Sequence, residues 1–442
     1  MDYALKERDS LMKVGHLIRV ERIRQEMKQL VLAKGICTPS YLSKIERNLI
    51  FPSDDIVSLL FNRLGIDPSK LQKNDLQTEL DFEKMLNETY KEVLTTRNVS
   101  FTKQKLDYLL QKSPLFENQS LYYTYLLIIL RFRIISSSDF DELKKEIDSL
   151  EELSKDFNPR QIYLFTVNKA IYNYSKENRT KSIEYFESML LLIDDILLED
   201  WEKAEMNYMI GVVFTADGRI FTSIEYIRNA LEYFRENFLM KRVLDCYILI
   251  GITKKKNEQF QEAYESYLKA MQICDEFNLH HEKGIVYHNL GTLSSLIGNS
   301  DDAISNYKRS IEFKTDDEDP LLSILCLVIE YSKLDNQKLV NVWCDEGMVL
   351  ISHLKNKYPL SYFHHFNIFK SIYSENGLSE EIAEKAIEYF KKIQDYRYIH
   401  KYCITLAEYY YQNRQYKLSS IYYQEANRYG YLYRKIKRWE DL

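Results

Sequence analysis

Three glycines stand forty residues apart, at Gly211, Gly251 and Gly291, and each opens the same pattern. Twelve residues on comes a small side chain (Ser223, Ala263, Ala303). Four later stands a bulky one (Ile227, Tyr267, Tyr307), and three later a small one again (Ala230, Ala270, Ser310). No other feature narrows the fold as far. A unit of this length cannot bury an apolar face alone and must stack on copies of itself. Spacings of three and four are helical, so each unit is a pair of antiparallel helices, with small residues where backbones meet and large ones in the seam. Further copies run through Ala170, Ser182, Phe186 and Met189, through Val328, Val340, Cys344 and Gly347, and through Ala407, Ser419, Tyr423 and Ala426. Residues 371–390 fit poorly, and 80–155 is helical without a readable phase. Only 12 Gly and 7 Pro punctuate 442 residues, which agrees with long helices.

This is a lengthened tetratricopeptide (TPR) pattern. It predicts about seven to nine helical hairpins in an all-α, right-handed superhelix whose concave face is lined by the first helix of each pair. The residues two and three before the key small position face that groove: Asn168 and Val167, Met209 and Tyr208, Leu249 and Ile248, Asn289 and His288, with Asn207 nearby. A side-chain amide can donate to one backbone group and accept from another, which suits an extended peptide. Asn168, Asn207, Tyr208, His288 and Asn289 are therefore the peptide-binding candidates. The competing role for Asn168 and Asn289 is to bond neighbouring helices within the scaffold.

The N-terminus reads differently. Between Lys13 and Ile50 there are eight basic and three acidic residues, whereas residues 71–442 carry 48 basic against 57 acidic. A basic head on an acidic body points to nucleic acid. VGHLIRVERIRQ is an amphipathic helix expected to project Arg19, Arg22 and Arg24 outward, and MKQLVLAKG is a second short helix ending at Gly35. Thr38 is then an N-cap and Pro39 the first residue of SYLSKIER. Leu32, Leu42 and Ile45 form the seam, with Ala33 small enough for a close crossing. PSDD, capped by Ser53, opens a helix with apolar Ile56, Leu59, Leu60 and Leu64 that stops at Gly65. The result is a helix-turn-helix, whose second helix enters the major groove of double-stranded DNA. Its DNA-binding candidates are Thr38, Ser40, Tyr41, Lys44 and Arg47, with Gln29 placed to reach a phosphate. The expected domains are 1–67 (DNA binding), 68–80 (a linker helix) and 81–442 (repeats).

The chemistry of catalysis is not visible. There is no HExxH, no GxxxxGK[ST] and no GxSxG. His280–His281 and His364–His365 are adjacent, so they point apart on a helix and make poor joint metal ligands. Lys255 or Lys256, in the run KKK, could grip a ligand carboxylate, although such runs are usually solvated faces. No enzyme activity, metal or cofactor is expected. Six scattered cysteines without a CxxC pair, a charged N-terminus and no apolar run long enough for a bilayer predict a reduced, cytoplasmic protein with no membrane partner.

The head resembles the Xre-type helix-turn-helix through Ile18, Arg19, Gln29, Leu32, Ala33, Ser43, Ile45 and Glu46; Lys28 and Leu30 depart from its pattern. LAKGICTPSYLSKIERN followed by FPSDDIVSLL, on a TPR body, resembles the RRNPP family of peptide-pheromone receptors of Gram-positive bacteria, in its NprR- and PlcR-like subgroup. That resemblance implies a transcription regulator, homodimeric on a palindromic site, whose groove binds a short signalling oligopeptide. It also implies, as the alternative, sequestration of a response regulator, as in Rap and NprR proteins. Rap proteins lack such a head, which counts against a phosphatase.

Overall fold

The computed structural model describes residues 14–68, 76–112, 118–137, 139–176, 178–191, 193, 196–314, 320–354, 360–375 and 377–434. No strand occurs among them. The head contains α1 (Gly15–Arg24), α2 (Gln29–Ala33), α3 (Pro39–Glu46) and α4 (Asp54–Leu64). Then come α5 (Leu76–Thr96), α6 (Val99–Lys112), α7 (Gln119–Ser136), α8 (Phe140–Leu153), α9 (Pro159–Ser175), α10 (Arg179–Leu190), α11 (Asp200–Asp217), α12 (Ile220–Glu236) and α13 (Met240–Lys256). The remaining helices are α14 (Phe260–Glu276), α15 (His280–Ile297), α16 (Ser300–Phe313), α17 (Pro320–Lys333), α18 (Gln337–His353), α19 (Leu360–Ile372), α20 (Glu380–Lys392), α21 (Tyr396–Gln412) and α22 (Tyr416–Tyr433). Most of the expected linker helix, 69–75, lies outside the described residues; its last residues open α5. The chain divides into two compact units, Met1–Leu249 and Ile250–Leu442.

In the first unit the head forms as its local signals demand. The Tyr41 amide donates to Thr38 Oγ1 at 3.2 Å, and Pro39 follows where no N–H is needed. Gly35 and Gly65 take φ of +77° and +69°, the left-handed turns that end α2 and α4. Leu32, Leu42, Ile45 and Ala33 are buried together, as the crossing requires. Two expectations fail. Ser53 makes no side-chain cap, and the first turn of α4 instead carries Asp54 and Asp55, whose charges favour a helix N-terminus. Leu59 is exposed, and Phe61 is buried in the head core.

The segment without a readable phase, 80–155, holds α7, which has twelve buried residues out of 18. A helix covered on nearly every side loses the apolar stripe by which an amphipathic helix is recognised. One apolar cluster runs unbroken from Val14 in the head to Phe214 in α11.

The repeat reading holds in both units. In the first, a Cβ on Gly211 would lie 2.5 Å from Ile227 Cγ1, and Ser223 Oγ donates to the Gly211 carbonyl at 2.8 Å. In the second, the same construction at Gly251 and Gly291 meets the rings of Tyr267 and Tyr307 at 2.3 and 2.7 Å. Ala263, Ala270, Ala303 and Ser310 are fully buried at the contacts between paired helices. The phase slips in the last hairpin: Tyr423 is exposed, and Tyr422 packs there instead, its ring on Tyr410 at 5.4 Å and its hydroxyl donating to Glu384.

Candidate functional site

The exposed side of α3 carries Thr38, Ser40, Lys44 and Arg47, all open to solvent, while Tyr41 is half-buried against the head core. Thr38 spends its oxygen on the cap, and Arg47 Nε donates to the Ser43 carbonyl at 3.1 Å. Gln29 is turned toward the same helix: its Nε2 donates to Glu46 Oε2 at 2.7 Å. Glu46, 3 % exposed, also accepts from Arg22 Nε at 2.6 Å and Nη2 at 3.0 Å, and Arg22 Nη1 donates to the Met27 carbonyl. One buried carboxylate thus fixes α1, α2 and α3 to one another.

The arginines of α1 depart from expectation. Only Arg24 projects outward; Arg22 clamps Glu46. Arg19 is half-buried and pairs with Asp156, with Nη2 donating to the Glu152 carbonyl at 3.3 Å. The His16 ring lies edge-on to Tyr122 at 5.8 Å, and Asn48 Nδ2 reaches Gln119 Oε1 at 3.5 Å. Through α1 the head is therefore docked on α7 and α8, and its basic surplus is partly spent on that contact.

Of the peptide-binding candidates in the first unit, Asn168 is buried and its Nδ2 donates to the Leu127 carbonyl at 2.8 Å, which is the scaffold role. Asn207 is half-buried. Tyr208 lines a cavity of about 400 Å³ walled by α5, α6, α7, α9, α10 and α11. Its ring is flanked by the guanidinium groups of Arg97 at 4.5 Å and Arg242 at 4.2 Å. Burial, with Asp245 adding to it, pushes the Tyr208 hydroxyl up to about 12. Val93, Val99, Ile135, Ile171 and Val213 make the cavity mostly apolar, and Arg97, Arg131 and Glu205 give it charge. Reading the sequence did not find these three. Arg131 directly follows the apolar run YLLIIL at 125–130, and a charge inside an apolar helix is itself a signal by which it could have been found.

In the second unit Asn289 is buried and Nδ2 donates to the Ile285 carbonyl of its own helix at 3.0 Å. His288 Nδ1 lies 2.9 Å from Ser323 Oγ, and the ring packs on Tyr307. Burial, then Lys314 and Lys255, push its pKa down to about 3, so it is neutral. Lys255 is half-buried and lowered to about 8, chiefly by burial. His280 stacks on Phe313 and His364 on Tyr389. No group of three His, Cys, Asp or Glu side chains that could hold a metal ion occurs among the described residues. No helix among them is long and apolar enough to cross a membrane.

These features meet their counterparts in known proteins. Residues 18–71 match the helix-turn-helix family model and residues 242–316 the tetratricopeptide repeat model. The chain is 26 % identical over 401 residues to the transcriptional activator NprA of Geobacillus stearothermophilus, covering 89 % of this chain and 97 % of that one. It is 21 % identical to response regulator aspartate phosphatase I of Bacillus subtilis, over 74 % of this chain and 84 % of that one. Two solved structures share the fold. The apo quorum sensor NprR of B. thuringiensis has TM-score 0.63 at 17 % identity, over 80 % of this chain and 99 % of that one. NprR with its cognate peptide NprX has TM-score 0.59 at 18 % identity, over 81 % and 100 %. The molecule is thus an all-α protein with a helix-turn-helix head and tetratricopeptide repeats. In both parts, and over most of its length, it is similar to the transcriptional activator NprA.

Proposed function

We propose that this chain is a transcription regulator that binds a palindromic DNA site as a homodimer and is controlled by a short signalling oligopeptide held in its repeats. Residues 1–67 read DNA, 68–80 connect, and 81–442 bind peptide and dimerise, in the cytoplasm. The observation that carries this reading is the free outer face of α3, where Ser40, Lys44 and Arg47 stand exposed while Leu42, Ile45 and Glu46 anchor the helix from behind. Thr38 and Tyr41 flank that face, and Gln29 orients it through Glu46 as well as lying near the phosphates. Similarity over most of the chain to NprA, a transcriptional activator, and to NprR, solved with a peptide, supports both halves.

On the peptide side, Tyr208 and Asn207 belong to the first unit, with Asn168 offering its Oδ1 to a peptide N–H. His288 and Asn289 are the contacts assigned to the second unit. A peptide alters DNA binding only by favouring one arrangement of the repeats over another. The likeness to response regulator aspartate phosphatase I supports a second reading, in which the repeats sequester a response regulator.

The test is a gel shift on DNA flanking the gene, with and without synthetic peptides from neighbouring small reading frames. A peptide-dependent shift lost in Lys44→Ala with Arg47→Ala supports the regulator. Capture of a response regulator that is unchanged in that double variant, with no duplex bound, supports sequestration instead.

A further inference from the structure

Arg131 lies on α7, 4 % exposed, and lines the cavity that also holds Tyr208. Its Nη2 donates to Met209 Sδ at 3.0 Å, and its Nε and Nη1 have no acceptor among the described residues. A thioether is a weak acceptor. Guanidinium does not shed its proton in proteins, so the charge must be met by some other group.

The neighbouring carboxylates do not meet it. Glu205 gives both oxygens to Arg242, at 2.7 Å from Nε and 2.8 Å from Nη2. Asp245 accepts from Arg242 Nη1 at 2.5 Å and lies 3.8 Å from Arg97 Nη1. Glu202, on the same helix as Glu205, pairs with Arg160 at 3.1 Å. Leaving that closed pair aside, three arginines (Arg97, Arg131, Arg242) face two acids (Glu205, Asp245). One positive charge is left over, on a side chain at the wall of a cavity of about 400 Å³, a size that suits a small ligand. A buried charge without a partner is strongly unfavourable, and a carboxylate is the group guanidinium pairs with best.

We propose that this cavity binds a carboxylate carried on a small aliphatic group, with Arg131 as its partner and the Val93, Ile135, Ile171 and Val213 walls receiving the aliphatic part. Met209, flexible and already at the wall, swings aside and gives up Nη2 to the carboxylate. Arg97, near the cavity rim and 37 % exposed in its side chain, adds a second positive charge for the incoming anion. Resting on the peptide reading above, the carboxylate is assigned to the C-terminus of the controlling peptide, whose last residue is aliphatic. A free branched carboxylic acid offers the same chemistry, and the experiment separates the two.

The full-length chain is titrated with pentapeptides randomised at the first four positions and ending in leucine, once as the free acid and once as the amide. Isovalerate alone forms a third arm, and binding is read by thermal shift and calorimetry. The acid pool is expected to bind about tenfold or more tighter than the amide pool, the loss expected when a charge-assisted contact is removed. Arg131→Met, which replaces an unpaired charge with an apolar chain of similar length, removes the preference without unfolding the protein. Val213→Trp, which fills the cavity, abolishes binding of the acid pool. Equal binding of acid and amide by the wild type overturns the proposal while leaving peptide control standing. So does an acid preference that survives in Arg131→Met. Binding of isovalerate with neither pool bound upholds the carboxylate site and overturns the peptide as its source. Binding of none of the three overturns the site; a gel shift on the same preparation then shows separately whether the DNA reading stands.

Discussion

Arg22 on α1 and Glu46 on α3 hold each other through two hydrogen bonds, Nε to Oε1 at 2.6 Å and Nη2 to Oε2 at 3.0 Å, directly behind the face that carries Lys44. Their side chains are 12 % and 2 % exposed. Removing one member of a buried pair strands the other, which typically costs about 3–5 kcal/mol. Glu46→Ala should therefore destabilise the head by about 3 kcal/mol, and Glu46→Gln, which can still accept from Arg22 and Gln29, by less. Hydrogen exchange of the α1–α4 amides is the measurement, because it isolates the head from the repeats. Unchanged protection in Glu46→Ala would show that the pair contributes nothing.

The glycine notches predict a second outcome. An added methyl at Gly251 would sit 2.3 Å from Tyr267 Cε1, closer than any real contact. Gly251→Ala should lower stability by about 1–3 kcal/mol through overpacking. Trimming the ring in Gly251→Ala with Tyr267→Leu should recover part of that, and the recovery separates a clash from a general intolerance of the helix. Gly218→Ala is the contrast: nothing lies within 4 Å, but φ is +86°, so only backbone strain of about 1–2 kcal/mol is expected. Thermal unfolding of the four chains orders them.

Those notches also show why the repeats were legible and the cavity was not. A glycine facing a bulky residue sixteen positions later is a local rule of one helical hairpin, so Gly211, Gly251 and Gly291 announce it in the sequence. Thr38 and Pro39 are equally local, a cap and a helix start two residues wide. Arg131 is the opposite case. Its only acceptor among the described residues, Met209, is 78 residues away, and the acids near it are taken by Arg242, itself 37 residues beyond Glu205. No window along the chain contains that arrangement. The inward turn of Arg19 and Arg22 was missed for the same reason, since α1 reads as a surface helix until α8 and Glu46 cover it.

On DNA, the exposed Lys44 and Arg47 predict an ionic-strength effect. If Lys44 meets a phosphate, Lys44→Ala weakens binding to every duplex alike and lowers the salt slope by about one. If it meets a base edge, the loss is about 1–3 kcal/mol on the cognate site and near zero elsewhere. Titrating cognate and scrambled duplexes at several salt concentrations distinguishes the two. Equal affinity at all of them in the variant would remove Lys44 from the interface.

Finally, two histidines of the second unit tie its stability to pH. His288 is pushed down to about 3 by burial, then by Lys314 and Lys255; His365 is pushed down to about 3 by burial, then by Lys401, Arg397 and His364. In the unfolded chain both return to an ordinary value near 6.5. Between those limits the unfolded state binds protons that the folded state refuses, so stability rises with pH there. The contribution is whole above about pH 6.5 and is lost as pH falls toward 3, at about 1.4 kcal/mol per pH unit for each histidine. Urea unfolding from pH 6.5 to 5 stays above most carboxylate titration and so reads the histidines. His288→Asn and His365→Asn should each flatten the dependence of stability on pH by about one proton, whatever they do to its absolute level. A slope unaltered by both substitutions would mean that neither imidazole is held neutral by its surroundings.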